Sequence, residues 1–200
     1  MESIESRIKK SISKKGRGVL LFPEDFKQLG SSEAVRLALH RIEKEGFIKR
    51  IAHGIYVRPK LNKYVGEIIP TAEDVARAIA KRDKIRLVPT GVYAQYALGL
   101  STQIPLKLVF LTDGAPREIK IGKRSIKLKK TTPKNLSAKG AISKLVIQAL
   151  REIGKDNLTD TEEEKIVSLL IKEDRKKMEH DIPLAPVWIQ NIMKKALIDG

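Results

Sequence analysis

Residues 30–46 read GSSEAVRLALHRIEKEG, a stretch without proline that has a glycine at each end. A serine before the first helical turn can accept a hydrogen bond from an unpaired backbone N–H, and Glu33 suits the positive end of the helix dipole. Gly46 can take the left-handed conformation that ends many helices. The stretch therefore predicts a single helix that begins at Ser31 or Ser32.

The predicted helix has two chemically different faces. At about 100° per residue, the apolar side chains fall on one side and the basic side chains on the other. The apolar set is Val35, Ala38, Leu39 and Ile42. The basic set is Arg36, His40 and Lys44. We expect the apolar set to pack into a core and the basic set to face solvent.

A predicted β-hairpin follows this helix. Two short β-prone runs occupy 47–51 and 55–58, the tripeptide AHG separates them at 52–54, and Pro59 comes after the second run. A glycine-containing turn between two such runs is typical of a hairpin, and proline closes a strand because it cannot donate to the ladder.

The elements before the helix complete a recognisable order. The sequence predicts a helix over 2–14, a strand over 19–22 and a short helix over 23–30. The order helix, strand, helix, helix, hairpin is typical of a winged helix-turn-helix domain, in which one helix enters the DNA major groove and the hairpin contacts the flanking backbone. The alternative is an ordinary surface helix with solvated charges, since many α/β domains follow such a helix with a hairpin.

The basic charge of the chain is unevenly distributed. The 200 residues carry a formal net charge of +16. Residues 1–60 hold 14 Lys or Arg and 7 Asp or Glu, residues 61–137 hold 15 and 6, and residues 138–200 hold 11 and 11. Basic charge favours polyanions because each neutralised phosphate releases condensed counterions. Acidic proteins and anionic membranes would be attracted too, so charge indicates only a class of partner.

Composition excludes several kinds of site. The chain has no cysteine, which excludes disulfides, thiolate metal sites and cysteine nucleophiles. It has no run of about eighteen apolar residues, and its first residues are polar, so we expect a cytoplasmic protein without a membrane span or secretory signal. The three histidines, His40, His53 and His180, lack the spacing of a metal-binding helix. We therefore expect neither a metal nor another cofactor.

Beyond residue 60 the sequence predicts a mixed α/β middle domain over 61–137, which begins with a linker or extra strand at 61–70. Over 119–129 isoleucine and leucine alternate with lysine, so the apolar and basic side chains face opposite ways. The predicted exposed hairpin carries Lys120, Lys123, Arg124, Lys127 and Lys129. We favour a polyanion-binding face over the alternative of a merely solvated edge strand.

The last segment, 138–200, predicts a helical region. We expect Ser137 to cap its first helix and a capping box at 161–164 to open its second. The run Arg175-Lys176-Lys177 is expected to close the second helix, where cations favour the dipole, and Pro186 to open the third. Because this region has no net charge, we expect it to be a packing, partner or dimer surface rather than a nucleic-acid contact.

Asp113 is the most enzyme-like carboxylate, because it directly follows the apolar strand predicted at 106–112. An Asp-Gly pair after a strand is first of all a turn signal, so we favour a structural role for it. The sequence contains no nucleophile elbow, Walker loop or dinucleotide fingerprint. We therefore expect no enzymatic activity, and a nucleic-acid-processing enzyme that uses Asp113 is the less favoured alternative.

Several short segments carry a family resemblance. They are GSSEAV at 30–35, L-x-R-I at 39–42, GFI-x-RIA-x-GIY at 46–56, VPTG-x-YA at 88–94, LGLST at 98–102 and V-x-LTDG at 109–114. They resemble AbiEi-type antitoxins of bacterial type IV toxin–antitoxin systems and an allied bacterial family of unknown function. The helical end from Ala138 onward is more similar to the allied family.

The resemblance implies a fold and two activities. The fold is α+β, with an N-terminal winged helix-turn-helix domain over 1–60. That domain would bind an inverted repeat of double-stranded DNA in its own promoter and repress it, and the protein would oppose a nucleotidyltransferase toxin without a stable complex. The DNA-facing positions carried over are Ser31, Ser32, Arg36, His40, Lys44, Arg50, His53 and Arg58. Among these, Arg36 is the best candidate for reading guanine. A stand-alone winged-helix regulator that dimerises through its neutral helices is the alternative.

Overall fold

The computed structural model describes residues 2–198, and its fold is mixed α+β, as the sequence predicts. The helices are α1 Ile4–Lys15, α2 Ser32–Lys44, α3 Ala72–Asp83, α4 Val92–Ala97, α5 Ala141–Ile153, α6 Asp160–Leu170, α7 Arg175–Asp181 and α8 Val187–Ile198. The strands are β1 Leu20–Leu21, β2 Lys49–Ala52, β3 Ile55–Val57, β4 Lys60–Asn62, β5 Gly66–Ile68, β6 Leu87–Thr90, β7 Lys107–Thr112, β8 Arg117–Ile121 and β9 Arg124–Lys130.

The chain forms two compact units. The first comprises residues 1–79 with 119–123, and the second comprises residues 80–118 with 124–200. These units do not coincide with the three segments predicted from composition, so the division at 60 and 137 stays a prediction.

A hydrophobic core in the first unit joins α1 and α2 to a small sheet. Strands β1, β3 and β2 pair antiparallel in that order, with Leu21 opposite Tyr56 and Arg50 opposite Tyr56. The core contains Ile8 and Ile12 of α1, Val35, Ala38, Leu39 and Ile42 of α2, and Leu21, Phe26, Ile48 and Tyr56. The apolar stripe predicted for α2 is therefore confirmed, and hairpin residues Ile48 and Tyr56 pack against the same core as α2.

One prediction for the first unit needs correction, and of the linker or extra strand predicted at 61–70 the structure supports the strand. Residues 23–30 form only a 3₁₀ helix at Pro23–Phe26 rather than a longer helix, and the Asp25 carboxylate accepts a hydrogen bond from the Phe22 N–H at 3.2 Å. Residues 61–70 contribute to a two-stranded hairpin of β4 and β5. In its turn the Asn62 Oδ1 accepts from the N–H groups of Tyr64 and Val65 at 2.8 and 3.2 Å.

The second unit combines a mixed sheet with the C-terminal helices. Its strands pair in the order β6-β7-β9, with β6 antiparallel and β9 parallel to β7. Ala94 of α4 and Leu98, which directly follows α4, belong to a core shared with the last four helices, represented by Leu150, Ile166 and Ile189. Residues on both sides of the predicted boundary at 137 thus form one hydrophobic core.

Three predictions about helix ends in the second unit are wrong. Ser137 does not cap α5: its hydroxyl donates to the Pro133 carbonyl at 2.7 Å, and the N–H groups of Ile142 and Ser143 bond to Glu173 instead.

The second helix of this region, α6, is opened by a capping box of Thr159 and Glu162, two residues earlier than predicted. Arg175-Lys176-Lys177 begins α7 rather than ending α6, because Asp174 accepts from the Lys177 N–H at 2.9 Å and caps a new helix there. Among residues 2–198, no helix is both long enough and apolar enough to cross a membrane.

Candidate nucleic-acid interface

Helix α2 presents a basic surface to solvent. Arg36, His40 and Lys44 are exposed, opposite the buried stripe of the same helix. The separation follows from the helical period alone, since residues spaced three and four apart share a face. The cations therefore remain accessible to a polyanion while the same helix holds the core together.

The start of α2 is fixed by Ser31. Its Oγ accepts a hydrogen bond from the Ala34 N–H at 3.2 Å, as the sequence predicts for a cap. Ser32 is the first residue of the helix and is exposed. A hydroxyl that accepts a capping hydrogen bond can still donate its own hydrogen. Ser31 can therefore cap the helix and donate to a phosphate oxygen at the same time.

Two residues of the exposed face escaped the sequence reasoning. Leu37 is 52% exposed and Arg41 is also exposed. At about 100° per residue, Leu37, His40 and Lys44 lie opposite the buried stripe, while Arg36 and Arg41 flank them on either side. The sequence could have predicted the exposure of Leu37, because the helical period places position 37 on the side opposite the apolar stripe Val35, Ala38, Leu39 and Ile42.

The β2–β3 hairpin places two further polar side chains at its turn. Arg50 and His53 are exposed, and the Arg50 guanidinium lies 2.9 Å from the His53 Nδ1. The pairing of β2 with β3 is irregular between Arg50 and Ala52, and Gly54 has a φ of 67°. The irregularity and the glycine let the chain reverse within two residues, which brings the side chains of Arg50 and His53 together.

Arg58 is less accessible than predicted. It is half-buried, and its guanidinium lies over the Phe47 ring at 4.5 Å from the ring centre. Its carbonyl accepts from the Gly18 N–H at 2.7 Å. Arg58 therefore contributes to the packing of the hairpin base, and its charge lies at the margin of the candidate interface.

Acidic side chains at this surface are largely engaged. Glu45 forms an ion pair with Lys9, and the hydrogen bond from Lys9 lowers the pKa of Glu45. Glu43 is half-buried, with a carboxylate oxygen 3.8 Å from His40 Nδ1. Burial of the Tyr56 side chain raises its pKa, and the positive charge of Arg50 opposes part of that rise. Glu33 is exposed in the first turn of α2.

The predicted basic hairpin of the middle segment is present as β8 and β9. Lys120, Lys123, Arg124 and Lys129 are exposed, whereas Lys127 is half-buried. Glu118 lies within the same strand pair and forms an ion pair with Lys107 at 3.4 Å. The hairpin is thus less uniformly basic than its lysine spacing indicates.

Asp113 links the ends of two strands. Its Oδ1 accepts from the Arg86 N–H and its Oδ2 from the Arg86 Nε–H, both at 2.8 Å. These hydrogen bonds lower the pKa of Asp113. Both carboxylate oxygens are occupied by one neighbour, which fits the structural role favoured for this turn.

The remaining histidine, His180, donates a hydrogen bond from Nδ1 to the carboxylate of the buried Asp181 at 2.8 Å. Asp181 also accepts from the N–H groups of Lys139 and Gly140, so its carboxylate secures the segment before α5. Within the part of the chain that the structure describes, no three His, Asp or Glu side chains are grouped as metal ligands.

Comparison with known families places both units in one group of proteins. A family of unknown function, DUF6088, matches residues 7–178. The chain belongs to that family. The DUF6088 match begins inside α1 and ends inside α7, so it includes every residue of the candidate interface. No curated protein matches the sequence.

Proposed function

We propose that residues 2–60 form a winged helix-turn-helix domain that binds double-stranded DNA. Helix α2 would enter the major groove, and the β2–β3 turn would contact the flanking backbone. The element order α1, β1, 3₁₀ helix, α2, β2, β3 and the sheet order β1-β3-β2 support this assignment. The net positive charge of residues 1–60 supports a phosphate-bearing partner.

One observation carries the proposal. Exposed cations line the outer side of α2 while its inner side fills the core, and the next element along the chain is a short antiparallel hairpin with Arg50 and His53 at its turn. A helix of this kind can enter a groove without losing any of its packing. A hairpin tip with two polar groups can then fix the position of the helix along the duplex.

The side chains of α2 suit different roles. Arg36 and Arg41, on the two flanks of the exposed face, can each donate a bidentate pair of hydrogen bonds to guanine. Leu37 lies between them and suits apolar contact with a thymine methyl group. Lys44, Arg50 and His53 suit phosphate oxygens and would set position rather than sequence preference.

We further propose that the protein is an antitoxin and autorepressor of a type IV toxin–antitoxin operon. Support comes from the segments at 30–56 and 88–114 that resemble AbiEi-type antitoxins. In this proposal a homodimer binds an inverted repeat in its own promoter, because a two-fold operator calls for a two-fold protein. The protein opposes a nucleotidyltransferase toxin without forming a stable complex with it, and has no enzymatic activity of its own.

A reporter assay tests the repressor role. The native upstream region drives a reporter gene, and the wild-type chain should repress it. Arg36→Ala should relieve repression, whereas Lys14→Ala should not, because Lys14 is an exposed cation on α1 without an ion pair in the described chain. Equal reporter output with and without the wild-type chain would contradict the repressor role.

Co-expression tests the antitoxin role separately. The neighbouring gene is expressed alone and together with this chain, and growth is followed. Rescue of growth supports the antitoxin, and a non-toxic neighbour would leave a stand-alone regulator as the better description.

A further inference from the structure

A shallow cleft lies in the second unit, beside one face of α5. Lys144, Gln148 and Arg151 of α5 line it, and Lys134 and Asn135 of the 3₁₀ helix at 133–136 face them. Apolar atoms of Ala138, Ile147 and Leu184 complete the wall. The cleft is open to solvent, so a bound group would lie at the surface and not in an enclosed cavity.

The charge of the cleft is positive and uncompensated. Three of its lining residues are cationic, and none is Asp or Glu. Within residues 2–198, neither Lys134, Lys144 nor Arg151 forms an ion pair. Lys144 is half-buried. Like charges gathered this way repel one another, and a bound anion would relieve that repulsion.

Arg151 is held in place by neutral acceptors. One guanidinium nitrogen donates to the Asn135 Oδ1 at 2.8 Å and another to the Leu184 carbonyl at 3.3 Å. Asn135 is itself fixed, since its amide nitrogen donates to the Thr131 Oγ1 at 2.8 Å. Desolvation lowers the pKa of Arg151. The guanidinium is thus oriented before any ligand arrives, and its remaining N–H groups can still donate.

Gln148 supplies an unused donor in the wall. It is only 5% exposed, and its Oε1 accepts from the Thr90 Oγ1 at 3.3 Å. Its amide nitrogen donates to no protein acceptor among the described residues. This nitrogen is open to solvent, because no buried side-chain nitrogen or oxygen of the described residues lacks a partner, so it can donate to a ligand in the cleft. The cleft therefore offers donors from Lys134, Lys144, Gln148 and Arg151, whereas its amide oxygens are already occupied.

We propose that this cleft binds a phosphoryl group. A planar guanidinium, two ammonium groups and an amide N–H match the several acceptor oxygens of a tetrahedral dianion, and Arg-to-phosphate hydrogen bonds are charge-assisted. The site lies wholly in the second unit, so the inference does not depend on DNA binding by the first unit. The phosphoryl group belongs either to a small free molecule or to the 5′ end of a nucleic acid.

The experiment is a titration of the full chain with inorganic phosphate in a phosphate-free buffer at constant ionic strength. Two-dimensional NMR follows the side-chain signals of Gln148 and Asn135 and the Nε–H of Arg151. We expect saturable shifts of these three signals with phosphate and none with chloride. Absence of saturable shifts with phosphate would overturn the proposal.

Matched variants separate the site from general attraction. Lys144→Gln removes one charge without removing any hydrogen bond seen in the described chain, so it should fold normally and weaken phosphate binding by about tenfold or more. Arg151→Gln should weaken it further, with thermal unfolding as the check on its fold. Lys155→Gln is the control, because Lys155 is exposed and unpaired outside the cleft. Equal weakening by Lys144→Gln and Lys155→Gln would contradict a defined site.

Competition then identifies the source of the phosphoryl group. Adenosine monophosphate and two short oligonucleotides, one with a 5′-phosphate and one with a 5′-hydroxyl, compete against inorganic phosphate. Displacement by the monophosphate alone supports a small ligand, and displacement by the 5′-phosphorylated strand supports a nucleic-acid end. Equal displacement by the 5′-hydroxyl strand would contradict recognition of a terminal phosphoryl group.

Discussion

The guanidinium of Arg50 lies 2.9 Å from the Nδ1 atom of His53, across the turn between β2 and β3. A guanidinium has only donors, so the imidazole Nδ1 must accept this hydrogen bond. A neutral imidazole that accepts at Nδ1 carries its hydrogen on Nε2. The contact therefore leaves the Nε2 N–H of His53 as the donor that does not face Arg50.

The first prediction concerns this tautomer. His53 should be found with its hydrogen on Nε2 in the free protein under mildly alkaline conditions, because Arg50 occupies Nδ1. Long-range proton–nitrogen NMR measures the tautomer directly. In Arg50→Met, which lacks the donor, the two tautomers should mix. A wild-type ring with its hydrogen on Nδ1 would contradict the contact.

The second prediction compares two leucines of α2. Leu39 is fully buried, so Leu39→Ala should lower the free energy of unfolding by about 2–5 kcal/mol. Leu37 is 52% exposed, so Leu37→Ala should change it by no more than about 0.5 kcal/mol. Urea unfolding of the two variants measures both values.

The same variant tests the proposed DNA contact. If Leu37 contacts a thymine methyl group, Leu37→Ala should also reduce the preference for that base pair.

The third prediction concerns acid stability. Asp83 accepts from the Arg82 Nε–H at 2.7 Å and from Arg117, and the hydrogen bond from Arg82 is the main cause of its lowered pKa. Because the folded-state pKa lies below the usual 3.8, the carboxylate stabilises the fold above that value. This contribution is lost as pH falls through the folded pKa.

Asp83→Asn should therefore lower the free energy of unfolding by about 1 kcal/mol near neutral pH. The difference from the wild type should vanish below the folded pKa, where both side chains are neutral. Urea titrations across this range measure the difference. Asp156→Asn, an exposed carboxylate without an ion pair among residues 2–198, is the matched control and should show no such trend. A constant difference at all pH values would contradict the charge-based explanation.

The fourth prediction tests the second unit as one cooperative body. Ala94 and Leu98 share a core with Leu150, Ile166 and Ile189. A chain that ends at residue 137 should therefore lose amide-exchange protection across 80–118, while α1 and α2 keep theirs. Protection of 80–118 in the shortened chain would instead favour the three-segment division predicted from the sequence.

Local signals in the sequence were enough to predict α2. Ser31 caps the start of this helix, and the helical period sets its buried stripe. Gly46, with a φ of 74°, lies in the left-handed region just after its end. The β2–β3 hairpin follows from the same kind of signal, a glycine turn between two β-prone runs. Each of these features depends on residues that are close in the chain.

Features that depend on distant residues were missed. The N-terminus of α5 is capped by Glu173, about thirty residues further along, so Ser137 was the wrong choice. The β4–β5 hairpin is local, but both of its strands are exposed, and exposed strands carry no burial pattern, so the sequence predicted only a linker or an extra strand there. The phosphoryl cleft brings Lys134 of one element to Arg151 of another, although Lys144, Gln148 and Arg151 at i, i+4, i+7 spacing were a partial signal.

The most direct test of the central claim is a fluorescence-anisotropy titration of the purified chain against its own upstream DNA and a shuffled duplex, over a series of salt concentrations. We predict binding to the native duplex at least about a thousandfold tighter than to the shuffled one. The logarithm of the binding constant should fall steeply with the logarithm of salt, and Lys44→Ala should reduce that slope by about 1. Equal affinity for the two duplexes, or a slope that Lys44→Ala leaves unchanged, would contradict the proposed interface.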